Sequence, residues 1–124
     1  MDEKVLYSEL SYAVIGCAMR VHSTLGPGLP EAVYQKALSL ELVKAKIPFV
    51  SQQEYEVFYE GNLCGKFRSD FTVDEKIIIE IKAAEQLYEQ HRLQALTYLK
   101  VTGHHLALLI NFGEEKLVHK RVIR

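Results

Sequence analysis

The segment from Ile77 to Lys82 constrains the fold more than any other part of this sequence. It reads Ile-Ile-Ile-Glu-Ile-Lys and is apolar on both faces except at Glu80 and Lys82. A strand of this composition is typical of the centre of a sheet, where both faces are covered. A carboxylate in the middle of such a strand is costly to bury unless it has a partner and a purpose. The segment therefore predicts a central strand that carries polar groups for a functional reason.

The rest of the chain predicts three helices and further strands around this segment. Apolar residues at helical spacing predict helices over about 8–25, 30–46 and 85–101, and alternation predicts strands over 54–59, 67–73, 105–112 and 116–123. Ser8 is the expected N-cap of the first helix, Pro30 the expected first residue of the second, and Gly103 the expected C-cap of the third. The order α-α-β-β-β-α-β-β predicts an α/β fold of the mixed α+β kind, with one mixed sheet flanked by helices.

Two of the helical patterns also predict which residues face inward. The second helix is apolar over a wide arc, so it is expected to pack on more than one neighbour. In the third helix, Leu93, Leu96 and Leu99 are expected to point toward the core.

Length, charge and cysteine content limit the classes of protein that remain. A chain of 124 residues suits one domain, which we expect to span residues 1–124. The formal net charge of −1 provides no general basic field for nucleic acid, so any such binding must depend on a local patch. Two cysteines, Cys17 and Cys64, are too few for an all-cysteine zinc or iron–sulfur site.

The ends and the apolar runs of the chain bear on its location. The sequence starts Met-Asp-Glu-Lys, without the cationic flank and apolar run of a signal peptide. The longest apolar run, Leu106 to Ile110, is far too short to cross a bilayer. We therefore expect a soluble protein with a cytoplasmic location and no membrane partner.

The strongest functional feature is Asp70 followed ten residues later by Glu80 and then by Lys82. Side chains two apart on a strand share a face, so Glu80 and Lys82 point the same way. If the turn at 74–76 holds three residues, Asp70 lies opposite Glu80, with the two side chains about 5 Å apart. A two-residue turn would shift the register by one and separate them.

Two carboxylates side by side repel each other unless a cation lies between them. Mg²⁺ takes oxygen ligands of this kind and keeps several waters. Such an ion lowers the pKa of bound water and offsets charge on a phosphoryl oxygen, while Lys82 could orient the water or stabilise developing negative charge. This combination suits phosphodiester hydrolysis. The alternative is that Asp70, Glu80 and Lys82 form a solvated ladder of ion pairs on an exposed sheet face.

Several segments together resemble the GxxExxY proteins, small prokaryotic proteins assigned to the PD-(D/E)xK nuclease superfamily. The resemblance covers nearly the whole chain. Its defining pattern is Gly28-Leu-Pro-Glu-Ala-Val-Tyr34. The other matching segments are 22–30, the 70–82 hairpin, Gln94-Ala-Leu-Thr-Tyr98 and 108–113. The resemblance implies a restriction-endonuclease-like core. One departure is that Ser69, rather than proline, precedes the first acidic residue of the motif.

The resemblance also implies roles for individual residues. Asp70 and Glu80 are expected to bind Mg²⁺ or Mn²⁺, with the backbone carbonyl of Ile81 as a further ligand, and Lys82 is expected to assist the attacking water. RecB-like members have an additional glutamate on the preceding helix, and Glu31 matches its position. The resemblance therefore implies that Glu31 is a further metal ligand and catalytic residue. Gln94 and Tyr98 match their Gln-x-x-x-Tyr motif.

Each of these added residues also has a simpler explanation. The negative charge of Glu31 is favourable in the first turn of a helix because it interacts with the helix dipole, which alone would explain an acidic residue there. Tyr34, which shares a helix face with Glu31, could be a core residue with its hydroxyl at the rim. Gln94 could be an ordinary surface amide, and Tyr98 shares its helix face. Arg68, which we expect on the same face as Asp70, and Arg92, near Gln94, could meet phosphate or could be scattered surface charges.

Three functions are compatible with this sequence. The first is a Mg²⁺- or Mn²⁺-dependent nuclease acting on DNA, or else on RNA. The second is a catalytically silent module that keeps the fold and binds nucleic acid or a protein partner. The third is a subunit whose site another chain completes. In that case the expected edge strands at Tyr55 and Val118 could pair between protomers as a homo-oligomer. No feature identifies a protein partner.

Overall fold

The computed structural model describes residues 6–124, so the charged amino-terminal residues considered above lie outside the described range. This part of the chain contains three helices and seven strands. The helices are α1 (Ser8–Leu25), α2 (Glu31–Lys44) and α3 (Glu89–Thr102). The strands are β1 (Phe49–Ser51), β2 (Glu54–Tyr59), β3 (Asn62–Arg68), β4 (Phe71–Val73), β5 (Ile77–Lys82), β6 (Leu106–Asn111) and β7 (Val118–Ile123).

Five of the strands form the mixed sheet that the sequence predicts, in the order β1-β4-β5-β6-β7. β5 and β6 are parallel and are connected through α3, whereas the other neighbouring pairs are antiparallel. The remaining two strands, β2 and β3, form a separate antiparallel pair, which we call the ribbon. The prediction of one sheet therefore holds only for these five strands.

β5 lies at the centre of the sheet, as its composition predicts. Its residues Ile77, Ile79 and Ile81 pack in the core that α1 and α2 cover, and Ile78 packs in a second core beneath α3. All four side chains are at most 1% exposed. Because each buried isoleucine contributes about 1.5–3 kcal/mol, this strand is a major source of stability.

The helices largely follow the predicted pattern, with differences at their ends and on their outer faces. Tyr7, in a left-handed conformation, is the N-cap of α1, so the prediction of Ser8 at that position is wrong. Pro30 likewise precedes α2 as its N-cap and is not its first residue. α2 packs against α1 and β5, as predicted, but its outer residues are exposed. These residues are Val33, Leu40 and Val43.

α3 begins four residues later than the sequence suggests. The ring nitrogen Nδ1 of His91 accepts a hydrogen bond from the backbone N–H of Tyr88 at 3.0 Å, and this local cap sets the start of the helix at Glu89. Leu93 is 49% exposed, so the prediction that it points inward is wrong, and Ala95 and Leu99 fill the core position. Gly103 is the C-cap in the left-handed region, as predicted.

The predicted strand over 67–73 is interrupted at Ser69 and Asp70. Ser69 is fully buried, its N–H donates to the carbonyl of Gln53 at 3.0 Å, and its hydroxyl lies 3.0 Å from that of Thr72. These hydrogen bonds fix the backbone where the chain passes from the ribbon to the five-stranded sheet. The expectation that Arg68 and Asp70 share the face of one strand is therefore wrong, because the strand ends between them.

The chain that leaves β5 is fastened to the end of β6. The buried side chain of Asn111 accepts from the N–H of Ala84 at 3.0 Å and donates to the carbonyl of the same residue at 3.0 Å. Gly113 lies against this segment so closely that a Cβ there would be 2.3 Å from the carbonyl oxygen of Ala84. The path of the backbone after Lys82 therefore depends on a glycine at position 113.

Among the described residues, no helix combines the length and the apolar character needed to span a bilayer. Both cysteines are free, with Cys17 buried in α1 and Cys64 exposed on the ribbon.

We expect Gly113→Ala to lower the free energy of unfolding by about 1–3 kcal/mol, because the new methyl group meets backbone atoms that cannot move away cheaply. Denaturant titration followed by circular dichroism measures this change. Gly65→Ala is the matched control, since a Cβ there meets nothing within 4 Å and the change is expected to be near zero. Equal stability of the two variants would contradict the close approach at Gly113.

Candidate metal-binding and catalytic site

The hairpin of β4 and β5 brings Asp70 and Glu80 together. Val73 pairs with Ile77 across a three-residue turn, and the pairing continues to Phe71 opposite Ile79. Extending this register by one step puts Asp70 beside Glu80, and the Asp70 carboxylate accepts a hydrogen bond from the N–H of Ile81, the residue after Glu80, at 2.6 Å. The three-residue turn that the sequence interpretation requires is therefore confirmed, and both carboxylates belong to the same end of the hairpin.

Glu80 is held in an environment that disfavours its charge. The residue is only 6% exposed, and its Oε1 atom is buried without a hydrogen-bond partner among the described residues. Burial, followed by the charge of Asp70, raises the pKa of Glu80 from 4.5 to about 8, although the charge of Lys82 acts in the opposite direction. A buried carboxylate oxygen without a partner is rare in proteins, and perturbed carboxyl groups of this kind are concentrated at functional sites.

Asp70 is more strongly held than Glu80. The backbone N–H of Ile81 donates to its Oδ2 at 2.6 Å. Burial nevertheless raises the pKa of Asp70, and the Ile81 hydrogen bond and the Lys82 charge only partly oppose this effect. Its carboxylate is thus oriented toward β5 by a backbone donor, which leaves little rotational freedom.

Lys82 supplies the positive charge of the site. It is half-buried at the end of β5, and its charge lowers the pKa of both Asp70 and Glu80. Within residues 6–124 it forms no direct ion pair, so its ammonium group is not committed to a carboxylate. The three residues of the motif therefore converge as predicted, and they do not form an exposed ladder of ion pairs.

Glu31 lies at the start of α2 beside a cavity of about 600 Å³. Asp70 and Ile81 line the same cavity, together with polar residues of α2 and β1. Glu31 is exposed, and its charge makes the smallest contribution to the raised pKa of Glu80. In the described part of the chain, no three acidic, histidine or cysteine side chains come together as a metal-binding group. Glu31 therefore borders the site but does not complete a cluster of three carboxylates.

Tyr98 and Gln94 of α3 differ in their relation to the site. Tyr98 is half-buried and stacks on Phe67 of the ribbon, with ring centroids 4.1 Å apart. Its pKa is raised by burial and then by the charges of Glu80 and Asp70, which shows that the phenol lies near both carboxylates. Gln94 is exposed, and its side chain makes no hydrogen bond to the residues that the structure describes.

Three other residues expected to support the site are engaged elsewhere. The buried Tyr34 donates from its hydroxyl to the carbonyl of Gly26 at 2.5 Å and accepts from the N–H of Leu29 at 3.1 Å, so it fastens the turn before α2. Arg68 pairs with Glu54 on the ribbon at 3.7 Å, and Arg92 pairs with Glu89 on the surface of α3. The core explanation of Tyr34 is thus the one that its contacts support.

Two glutamines that the sequence interpretation did not select contact Asp70. The side-chain Nε2 of Gln35 donates to the backbone carbonyl of Asp70 at 2.9 Å. The side chain of Gln52 hydrogen-bonds the Asp70 carboxyl and lowers its pKa. Gln35 follows Glu31 by four residues and so shares its helix face, which was the one available signal for it. Gln52 has no such signal, because it lies in the short connection between β1 and β2.

The residues present fit a hard divalent cation. Asp70, just before β4, and Glu80, on β5, supply carboxylate oxygens, and the buried Oε1 of Glu80 has no hydrogen-bond partner in the described chain. Mg²⁺ is commonly held by one or two carboxylates and completes its shell with water, so a third carboxylate is not required. A cation between the two groups would also remove the repulsion that helps to raise the pKa of Glu80.

Known proteins resemble this chain at the level of family and of fold. A family model described as the PD-(D/E)XK nuclease superfamily matches residues 8–124. The crystal structure of SSO0001 is similar, with 18% identity and a TM-score of 0.61 over 95% of this chain and 59% of that one. An alkaline exonuclease from Laribacter hongkongensis matches at 11% identity and a TM-score of 0.45, over 100% of this chain and 72% of that one. No curated protein matches the sequence significantly.

The first of these likenesses shows a shared fold. It also shows that the present chain spans only 59% of the length of SSO0001.

The raised pKa of Glu80 predicts a pH dependence of stability in the absence of divalent metal. Between pH 4.5 and about 8 the folded protein binds a proton at Glu80 that the unfolded chain has released. The free energy of unfolding is therefore expected to be highest in the acidic part of this window and to fall as the pH rises toward 8. Denaturant titrations at several pH values with chelator present measure the slope.

Glu80→Gln is expected to remove most of this slope, because the amide does not titrate. The part that remains includes Asp70, whose pKa is also raised, and His104, whose lowered pKa acts in the opposite direction. Glu56→Gln, on the exposed ribbon, is the matched control and is expected to keep the wild-type slope. An unchanged slope in Glu80→Gln would show that Glu80 does not titrate in this window.

Proposed function

Because the chain belongs to the PD-(D/E)XK nuclease superfamily, we propose that it is a nuclease that hydrolyses phosphodiester bonds with Mg²⁺ or Mn²⁺ as cofactor. The single observation that supports this most is the buried, unpartnered oxygen of Glu80 opposite Asp70, two residues before Lys82. A structural ion pair would satisfy that oxygen, whereas a metal site needs it free. DNA is the favoured substrate and RNA the second.

In this proposal Asp70, Glu80 and the backbone carbonyl of Ile81 hold the cation. The bound ion supplies a lowered pKa for coordinated water and compensation of charge on the phosphoryl oxygen. The chain itself contributes orientation. The N–H of Ile81 aims the Asp70 carboxylate at 2.6 Å, and the burial of Glu80 limits competing water around its oxygen.

Lys82 is proposed to stabilise negative charge that develops on the phosphate and to orient the attacking water. Its freedom from direct ion pairs within residues 6–124 supports this role, because a paired ammonium would have to break a salt bridge first. A cation next to a group that gains negative charge in the transition state lowers the barrier more than the same cation in bulk water does.

The outer residues have more limited proposed roles. Glu31, which borders the cavity beside Asp70, is proposed to contact the cation through water and to assist catalysis there. Gln94 and Tyr98 face the same side of α3 and are proposed to order the substrate strand, with Tyr98 nearer to the carboxylates. Arg68 and Arg92 are proposed as phosphate contacts at the periphery, which requires each to leave its present glutamate partner.

Narrower statements belong to the same proposal. The match of Gly28 to Tyr34 supports membership of the GxxExxY group within the superfamily. We further propose that residues 1–124 act as one domain and that the protein works in the cytoplasm. Association into a homo-oligomer is compatible with the exposed edge of β7.

Cleavage assays test the proposal. We expect the purified protein to cut single- or double-stranded DNA, or RNA, with Mg²⁺ or Mn²⁺ and not with chelator. Lys82→Ala and Asp70→Asn are each expected to reduce the rate about 100-fold or more, since loss of a positioned catalytic group has effects of that size. Gel separation of labelled products measures the rates.

Lys76→Ala is the matched control, because Lys76 lies in the turn at the opposite end of the same hairpin and pairs there with Asp74. Its rate is expected to equal that of the wild type. If no substrate is cut under any condition while all variants stay folded, the catalytic proposal is wrong. Binding of nucleic acid without cleavage would then identify a catalytically silent module.

A further inference from the structure

Asp70 lies outside the ladders of both strands that flank it. β3 ends at Arg68 and β4 begins at Phe71, so no regular strand pairing fixes its backbone. A metal ligand in such a connection needs other contacts to hold it in place. We propose that Gln35 of α2 is a positioning residue that holds Asp70 opposite Glu80, an inference that rests on the proposed function of this site.

The contacts of Gln35 join three parts of the fold. Its single side-chain nitrogen donates to the backbone carbonyl of Asp70 at 2.9 Å and to the hydroxyl of Ser51 at 3.0 Å. Both hydrogens of the amide are therefore used, one on the connection and one on β1. This arrangement links α2 to the edge of the sheet at the residue that carries the carboxylate.

The same carbonyl of Asp70 accepts a second bond, from the backbone N–H of Gln52 at 3.0 Å. Gln52 has a φ of 54°, in the left-handed region that residues other than glycine seldom adopt. Two donors on one carbonyl fix the orientation of the peptide plane after Asp70. The carboxylate is fixed independently by the N–H of Ile81, so backbone and side chain are both constrained.

Geometry of this kind matters for a metal site. Groups that orient the ligands of a metal change its affinity about 10- to 100-fold when they are removed, without touching the metal themselves. A purely structural Gln35 would instead join α2 to the sheet, and its loss would lower stability while leaving the affinity of folded protein for metal unchanged. The two roles therefore differ in a measurable quantity.

The test is Gln35→Met, which keeps the length of the side chain and removes both donors. We expect the Kd for Mn²⁺, measured by calorimetric titration of the full chain at a temperature where circular dichroism shows it folded, to rise about 10-fold. If the wild type cleaves DNA, kcat of the variant is expected to fall with KM unchanged, because the substrate contacts are retained.

Two further variants separate the bonds. Ser51→Ala removes only the bond to β1, and its Kd for Mn²⁺ is expected to stay within twofold of wild type. Gln90→Met replaces an exposed glutamine at the start of α3 and serves as the control for the substitution itself.

The outcomes are distinguishable. A wild-type protein that binds Mn²⁺ and a Gln35→Met variant with the same Kd would overturn the positioning role and leave the proposed function intact. An equal rise in Ser51→Ala would also overturn it, because the bond to β1 would then be the one that matters. A wild-type protein that neither binds Mn²⁺ nor cleaves would refute the proposed function and this inference with it.

Discussion

The register of the β4–β5 hairpin is the constraint on which the site depends. Side chains on a strand alternate, so a shift of one residue moves every side chain to the opposite face. The three-residue turn after Val73 sets the register that places Asp70 opposite Glu80. A turn shorter by one residue would put the two carboxylates on opposite faces and would also expose part of the isoleucine core. Stability and site geometry therefore share one local cause.

The central position of β5 buries a carboxyl group together with the isoleucines, which is unfavourable unless that group serves the site. The strand buries four isoleucines, yet the same burial removes water from Glu80 and raises its pKa to about 8. Hydrophobic packing around Glu80 thus disfavours the ionised form of its carboxyl group. A divalent cation between Glu80 and Asp70 would reverse that preference. The apo protein and the metal-bound protein are consequently expected to differ in protonation at this position.

Much of this arrangement follows from local patterns in the sequence. The isoleucine run, apolar on both faces, predicts β5 as the central strand, and the spacing of ten residues predicts Asp70 as the partner of Glu80 if the turn holds three residues. Gly103 ended α3 as expected, because a residue without Cβ suits the left-handed cap. Local rules failed where a long-range bond decided the outcome. The break at Ser69 depends on a hydrogen bond to Gln53, and no periodicity reports such a bond.

The sequence by itself determined the central strand and the mixed α/β class, because the apolar pattern of a strand or helix is set by a few neighbouring residues. It predicted the pairing of Asp70 with Glu80 only if the turn held three residues, and the structure decided that turn. The tertiary structure alone decided that Tyr34 is a core residue and that Arg68 belongs to the ribbon. It also decided that Gln35 and Gln52 donate hydrogen bonds to the backbone carbonyl of Asp70. The physical reason is that hydrogen bonds between α2, β1 and the connection before β4 join residues distant in sequence, and only the packing of those elements brings their donors and acceptors together.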